Sequence, residues 1–248
     1  MKKFILAISI SLFSFFTVDA QDLSSFRFGF QASPNFSWMT TDVNFINPNG
    51  IIPGLKLGAV SEYYFQPNYA ITSGIGFSFN TGGRLLNDFP GTYWSETNLG
   101  IGVDTLAAGT NLKYNLQYVE IPVGLKMRTR EFGYLRYFVE IPIITLGFES
   151  QARGTVSTTT RVSEDPQAIE DVNIREEIFG LSISWGFGGG AEYSLSQTTS
   201  LIAGLYYQRY IIDITDNNGM TFHNTLGNLR NTEKTVINNI TLRLGVIF

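Results

Sequence analysis

Residues 179–195 read FGLSISWGFGGGAEYSL. Taken alternately, they fall into two sets. Phe179, Leu181, Ile183, Trp185, Phe187, Gly189, Ala191, Tyr193 and Leu195 form one; Gly180, Ser182, Ser184, Gly186, Gly188, Gly190, Glu192 and Ser194 form the other. The first set is bulky and apolar, the second small or polar. Successive side chains of a strand point to opposite faces, so a strand is the only regular element that parts the two sets cleanly. The glycine run 186–190 therefore lies inside a strand and is not a phosphate loop. Its missing side chains leave room for groups that reach across a narrow interior.

The same split recurs on either side of this stretch. Phe26, Phe28, Phe30 and Ala32 oppose Arg27, Gly29, Gln31 and Ser33; Leu55, Leu57, Ala59 and Tyr63 oppose Lys56, Gly58 and Glu62. Ile71, Ile75, Phe77 and Phe79 oppose Thr72, Gly74, Gly76 and Ser78, and Val119, Ile121, Val123, Leu125 and Met127 oppose Glu120, Pro122, Gly124, Lys126 and Arg128. Leu135, Tyr137, Val139, Ile141 and Ile143 oppose Arg136, Phe138, Glu140 and Pro142, and at the end Val236, Ile240, Leu242, Leu244, Val246 and Phe248 oppose Asn239, Thr241, Arg243 and Gly245. The run Leu201 to Asp213 also reads as a strand, but its alternation is blurred and its faces stay unassigned. Eight strands result, near 26–40, 52–66, 69–82, 113–129, 133–150, 178–195, 200–213 and 235–248. Short turns (66–68, 129–132, 196–199) alternate with long polar connections (41–51, 83–112, 151–177, 214–234). That rhythm is the one expected of an outer-membrane barrel with short periplasmic turns and longer external loops.

Composition agrees. Aromatics make up 14% of the 248 residues and charged residues only 15%, with 25 glycines and no cysteine. An ordinary soluble domain carries about 25% charge. Lys2 and Lys3, the apolar run Phe4 to Phe16, and Val18-Asp19-Ala20 read as a signal peptide cleaved after Ala20, leaving one domain over 21–248. The apolar run is shorter than the ~20 residues a helical span needs. The lack of cysteine excludes disulfides, thiolate metal sites and lipid attachment after the signal. The net charge of −4 argues against nucleic acid as a partner.

A soluble lipocalin-like barrel would keep the same period with its faces exchanged, apolar inside and polar outside. Eight bulky rows overfill a small interior but suit a surface facing lipid. Tyr63, Tyr137 and Tyr193 fall near strand ends beside the short turns, where an interfacial aromatic girdle belongs. The expected fold is all-β: a single antiparallel, up-and-down transmembrane β-barrel of about eight strands, with outer-membrane lipid as its surroundings.

The segment Tyr118-Val119-Glu120-Ile121-Pro122-Val123-Gly124-Leu125-Lys126 resembles the signature strand of the PorT-like outer-membrane β-barrel family: aromatic, aliphatic, Glu, aliphatic, Pro, then apolar residues and Lys. The layout resembles it too, from an aromatic-glycine first strand with Asn35-Phe36-Ser37 to the last residue, Phe248. A second copy, Phe138 to Pro142, stands outside the family pattern. The resemblance implies an outer-membrane barrel whose founding relative serves type IX secretion, a role most relatives are not known to share. Envelope or secretion-system proteins are the partner class it implies. Phe248 resembles the terminal aromatic by which the barrel-assembly machinery recognises its clients.

The face assignments place Arg27, Lys56, Glu62, Glu120, Lys126, Arg128, Arg136, Glu140, Glu192 and Arg243 in the lumen. Buried charges must pair, so these predict a network of ion pairs. Glu120 and Glu140 fall on adjacent strands, where a carboxylate pair would suit acid–base work; neutralisation by the lumenal Arg and Lys is the reading adopted. The single histidine, His223, has no fixed partner in sequence and reads as surface, so no catalytic set is expected. The acidic stretch with Glu164, Asp165, Glu170, Asp171, Glu176 and Glu177 matches no ordered calcium loop and reads as solvated. No cofactor or metal site is expected. A structural or interaction protein is the favoured function; a small porin-like diffusion channel and a rim-site enzyme are the alternatives.

Overall fold

A computed structural model describes residues 25–100, 105–158, 168–216, 218–223, 227–230 and 233–248. The expected export signal, Met1 to Ala20, and the acidic residues Glu164 and Asp165 lie outside the described residues. Eight long strands build the molecule: β1 (Phe26–Thr41), β2 (Ile52–Gln66), β3 (Tyr69–Asn87), β4 (Thr110–Arg128), β5 (Leu135–Thr158), β6 (Leu181–Ser194), β7 (Ser200–Tyr210) and β8 (Thr235–Ile247). Each pairs antiparallel with its chain neighbours, and β8 closes on β1. The expected up-and-down barrel is the fold observed.

The register fixes its width. Phe28 pairs with Ser61, Ser61 with Ser73, Ser73 with Val123, and Val123 with Ile144. Ile144 pairs with Trp185, Trp185 with Arg209, Arg209 with Asn238, and Asn238 with Trp38, back on β1. One circuit therefore climbs β1 from Phe28 to Trp38. An eight-stranded barrel so staggered has strands tilted by about 35–45° and an interior just wide enough for side chains to fill.

The outward face is apolar where it must meet hydrocarbon. Phe30 is 68% exposed, and Phe28, Ile75, Phe77, Val123, Phe187, Leu205 and Leu244 stand exposed beside it. Aromatics gather at the short-turn end: Phe26 against Tyr63 at 4.6 Å and Tyr134 against Tyr193 at 6.2 Å. Trp185, Phe187 and Tyr207 form a second group farther along β6 and β7. Two such belts are what membrane interfaces select.

On β4 the polarity of the two faces inverts partway. From Val119 to Met127 the outward residues are apolar, while Glu120 and Lys126 lie buried inside. From Thr110 to Tyr118 the inward residues include Leu112, Tyr114, Leu116 and Tyr118, all buried, and the outward ones are Asn111, Lys113, Asn115 and Gln117. The same exchange occurs on β5, where Ala152 and Val156 are buried between Gln151, Arg153, Thr155 and Ser157. One strand is thus a membrane strand over about nine residues, the length a tilted span needs, and a soluble-barrel strand beyond. The inward apolar residues of the far half join Met39, Ile46, Trp94, Ile174, Ile214 and Ile237 in one hydrophobic core. The interior is therefore charged at one end and apolar at the other, not charged throughout.

Two readings of the sequence need correction. Ile143 was expected outward with Ile141, but a bulge between Glu140 and Ile143 shifts the register, so Ile143 is buried while Ile141, Ile144, Leu146 and Phe148 face out. An extra residue reverses every side chain beyond it. The long connections are also not plain loops. Ile46–Pro48 pairs with β3 and Ile169–Asn173 with β5, while Gly91–Thr92, Met220–His223 and Gly227–Arg230 form a small separate sheet.

Candidate functional site

The lumen near the short-turn end is closed by side chains from strands all round the wall. Lys126 on β4 donates to Glu62 on β2 and to Glu192 on β6. Glu192 also accepts from Arg27 Nη1 at 3.1 Å, and Arg128 approaches it at 4.0 Å. Glu62 accepts from the Tyr64 hydroxyl at 2.7 Å. Lys126 is 2% exposed and Glu192 fully buried, so each charge lacks water and depends on these partners.

Two further sets adjoin it. Glu140 accepts from Arg243 Nη1 and from the Tyr206 hydroxyl, both at 2.8 Å, and from the Thr72 hydroxyl at 2.5 Å. Glu120 takes Lys56 Nζ on both oxygens at 2.9 Å, and Tyr210 at 3.4 Å. Lys56 also donates to Gln208, whose amide donates to Thr145 and Ser184. Cations lie over rings as well: Lys126 over Phe138 at 4.4 Å, Arg128 over Tyr64 at 3.8 Å and Arg243 over Tyr206 at 3.7 Å. Glycines make this crossing possible. A methyl group at Gly188 would collide with the ring of Tyr206.

Nine of the ten charged residues assigned to the lumen meet in these sets. Arg136 does not. It lies one residue inside β5 and pairs at 2.5 Å with Glu131 of the adjoining turn, at the mouth. Glu120 and Glu140 do not share a proton site; each has its own cation, Lys56 and Arg243 respectively. Of the motif residues, Tyr118 is buried, Ile121 faces out and Pro122, which follows it, is half-buried. Phe248 is 53% exposed and held to Phe28 by two backbone hydrogen bonds. Asn35 and Asn239, which match a glycosylation pattern in form, are buried in the lumen.

The partners that sequence reasoning missed are Tyr64, Tyr206, Gln208 and Tyr210. Three of them sit on β7, whose faces the sequence left unassigned. A usable signal was present: Tyr206 and Gln208 pair with Gly188 and Gly186, and a large residue opposite a glycine points to the crowded side.

In the external connections, Glu177 departs from the solvated reading. It is 3% exposed and accepts the Glu96 backbone N–H at 2.7 Å, tying the β5–β6 connection to the β3–β4 connection. Burial pushes its carboxyl up from the ordinary value. His223 lies against Phe89 with ring centres 4.3 Å apart and the planes tilted by 44°. Among the described residues there is no group of three His, Cys, Asp or Glu side chains that could hold a metal ion.

Residues 19–216 match the family described as outer membrane protein beta-barrel domain. No curated protein matches the chain. Among solved structures it is similar to Neisserial surface protein A, at 14% identity and TM-score 0.43, covering 89% of this chain and 95% of that one. It is similar to Ail, the attachment invasion locus protein of Yersinia pestis, at 10% identity and TM-score 0.41, covering 90% and 98%. It is also similar to OprG from Pseudomonas aeruginosa, at 10% identity and TM-score 0.43, covering 90% and 95%. Likenesses this distant carry no argument about function.

Proposed function

The chain belongs to the outer membrane protein beta-barrel domain family, and on that premise we propose that it is a closed barrel of structural or interaction type, working through its external face. The observation that carries this reading is the filled lumen. Lys126 bridges two carboxylates across it, and Lys56 and Arg243 occupy the remaining pair. Paired side chains of this kind leave no continuous water column for a solute. The reading includes no catalysis.

The external connections, partly built as strands, are the surface offered to partners. The strand Tyr118 to Lys126 and its PorT-like pattern make envelope proteins of the type IX secretion machinery the first partner class to test. Planar-bilayer recording of the purified protein tests the closed state, and no stable ohmic conductance is expected. A reproducible pore passing small sugars would replace this reading with the diffusion channel. Affinity isolation from detergent-solubilised outer membranes tests the partner. Co-purification of secretion components supports the type IX role, and recovery of the barrel alone removes it.

A further inference from the structure

At the short-turn end the charged plug is the floor of an open bowl of about 810 Å³. In barrels of this kind the short turns lie on the periplasmic side. Arg27 from β1, Arg128 from β4 and Arg136 from β5 line the bowl, with Ser200 from β7 and the turn residue Ser196. Among the described residues its one lining carboxylate is Glu131, which Arg136 holds at 2.5 Å. The exposed rings of Tyr134 and Phe248 also border it.

The charges at this end do not balance. Glu120 and Glu140 have one cation each, Lys56 and Arg243. The other two carboxylates of the plug, Glu62 and Glu192, face three: Lys126, Arg27 and Arg128. Arg128 is the one left over. Its side chain is 16% exposed, and its Nε donates to the Pro67 carbonyl at 3.1 Å. Its Nη1 stops 4.0 Å from Glu192 Oε2, an oxygen that Arg27 already holds at 3.1 Å. Among the described residues no protein group accepts a hydrogen bond from either terminal nitrogen of Arg128. Two hydroxyls of the lining are set to donate as well. Ser196 Oγ accepts from the backbone N–H groups of Thr198 and Thr199, and Ser200 Oγ accepts from Arg27 Nη2 at 3.0 Å; each keeps its own proton to give. The bowl therefore offers several donors and one surplus positive charge.

We propose that this bowl binds a phosphate ester, with its phosphate on the free fork of Arg128. A guanidinium presents parallel N–H donors that match two oxygens of one anion. A carboxylate has no oxygen left once the fork is filled; a phosphate has further oxygens for the hydroxyl protons of the lining. The bowl is far larger than a bare phosphate, and Tyr134 and Phe248 give the rest of the ester apolar contact. Two sources carry this chemistry: a phospholipid headgroup of the adjoining leaflet and a soluble phosphate ester of the periplasm. In either case the ligand rests on the plug and does not cross it, so the site is compatible with a closed barrel.

The test is thermal unfolding of the intact protein in maltoside micelles near neutral pH, at constant ionic strength. The probes are glycerol 3-phosphate and dihexanoylphosphatidylglycerol, with sodium acetate as the control. The expected result is a saturable rise of the midpoint by roughly a few degrees with a phosphate probe and none with acetate. Arg128→Gln should weaken the response at least about tenfold. Arg128→Lys, which keeps the charge without the fork, should fall between the two. A response to the lipid alone supports the leaflet as the source, one to glycerol 3-phosphate alone supports a soluble ester, and responses to both support a site open to either. No response to either probe overturns the proposal, as does an equal response to acetate or an unchanged response in Arg128→Gln. Should Arg128→Gln fail to fold, phosphorus NMR of the probes with the wild type decides. Saturable broadening beyond that in protein-free micelles supports the site, and an unchanged line overturns it.

Discussion

At the residue scale, Glu192 faces the sharpest balance of forces. It is fully buried and pairs with Lys126 and Arg27. Removing one member of such a set strands the others without water, which costs about 3–5 kcal/mol. Glu192→Ala should therefore lower unfolding stability by that order in urea titration. The double replacement Lys56→Met with Glu120→Leu removes both charges of one pair and should cost much less. Equal losses in the two variants would falsify the pairing account. Gly188→Ala tests the packing around Tyr206, since the added methyl meets that ring; overpacking of this kind costs roughly 1–3 kcal/mol. Glu233 gives a pH signature. Its carboxyl is raised to about 7 by burial, so the folded protein holds the proton more tightly than the unfolded chain does. The stability this confers is complete below the ordinary carboxylate range and is lost as pH rises through about 7. The melting midpoint should fall between about pH 5 and pH 8, and Glu233→Gln should flatten the slope. The lumenal carboxylates were legible in the sequence because alternation puts them opposite bulky apolar residues. Glu177 and Glu233 were not, because the connections that bury them have no period to read.

At the element scale, β4 shows how much a strand's sequence says and where it misleads. Alternation around Ile121 sets the outward face, and the exposure of Ile121 and Val123 agrees with it. Ile121→Arg should impair assembly, because arginine near the midplane of a barrel costs roughly 2–4 kcal/mol. Ile121→Val should assemble as the wild type does, with heat-modifiable migration on gels as the readout. If both variants migrate alike, the outward face of β4 is misassigned. Before Tyr118 the alternation continues with reversed chemistry, apolar inward and polar outward. Period alone cannot reveal this, since it is unchanged; only the identity of the two faces tells where the membrane stops. The β5 bulge was illegible for a different reason. Each side of it alternates well by itself, and the shift shows only in the pairing with the neighbouring strands β4 and β6.

At the scale of the whole molecule, the barrel is sealed twice in series, by charged pairs toward the short turns and by an apolar core toward the external connections. A variant in which a short turn replaces residues 88–109 should still give no conductance in planar bilayers, because the charged plug is untouched. Conductance in that variant would show that the cap, not the plug, closes the barrel. The fold and the closing of the chain on itself were legible from seven alternating runs, one blurred run and the rhythm of the turns. The division of the interior was not, because it depends on how far each strand continues past the membrane. That length differs round the wall. β5 has 24 residues and β3 and β4 have 19 each, whereas β7 has 11. Measured along the strands, one side outreaches the other by roughly 40 Å. The rim is therefore a slanted parapet, and the molecule shows its surroundings a stiff, hydrogen-bonded palisade on one flank and a low sill on the other. The tall flank is a surface whose shape is held by the backbone ladder. Exchange of the outward side chains in residues 110–117 and 151–157 can then change the chemistry of that flank while its contour stays fixed.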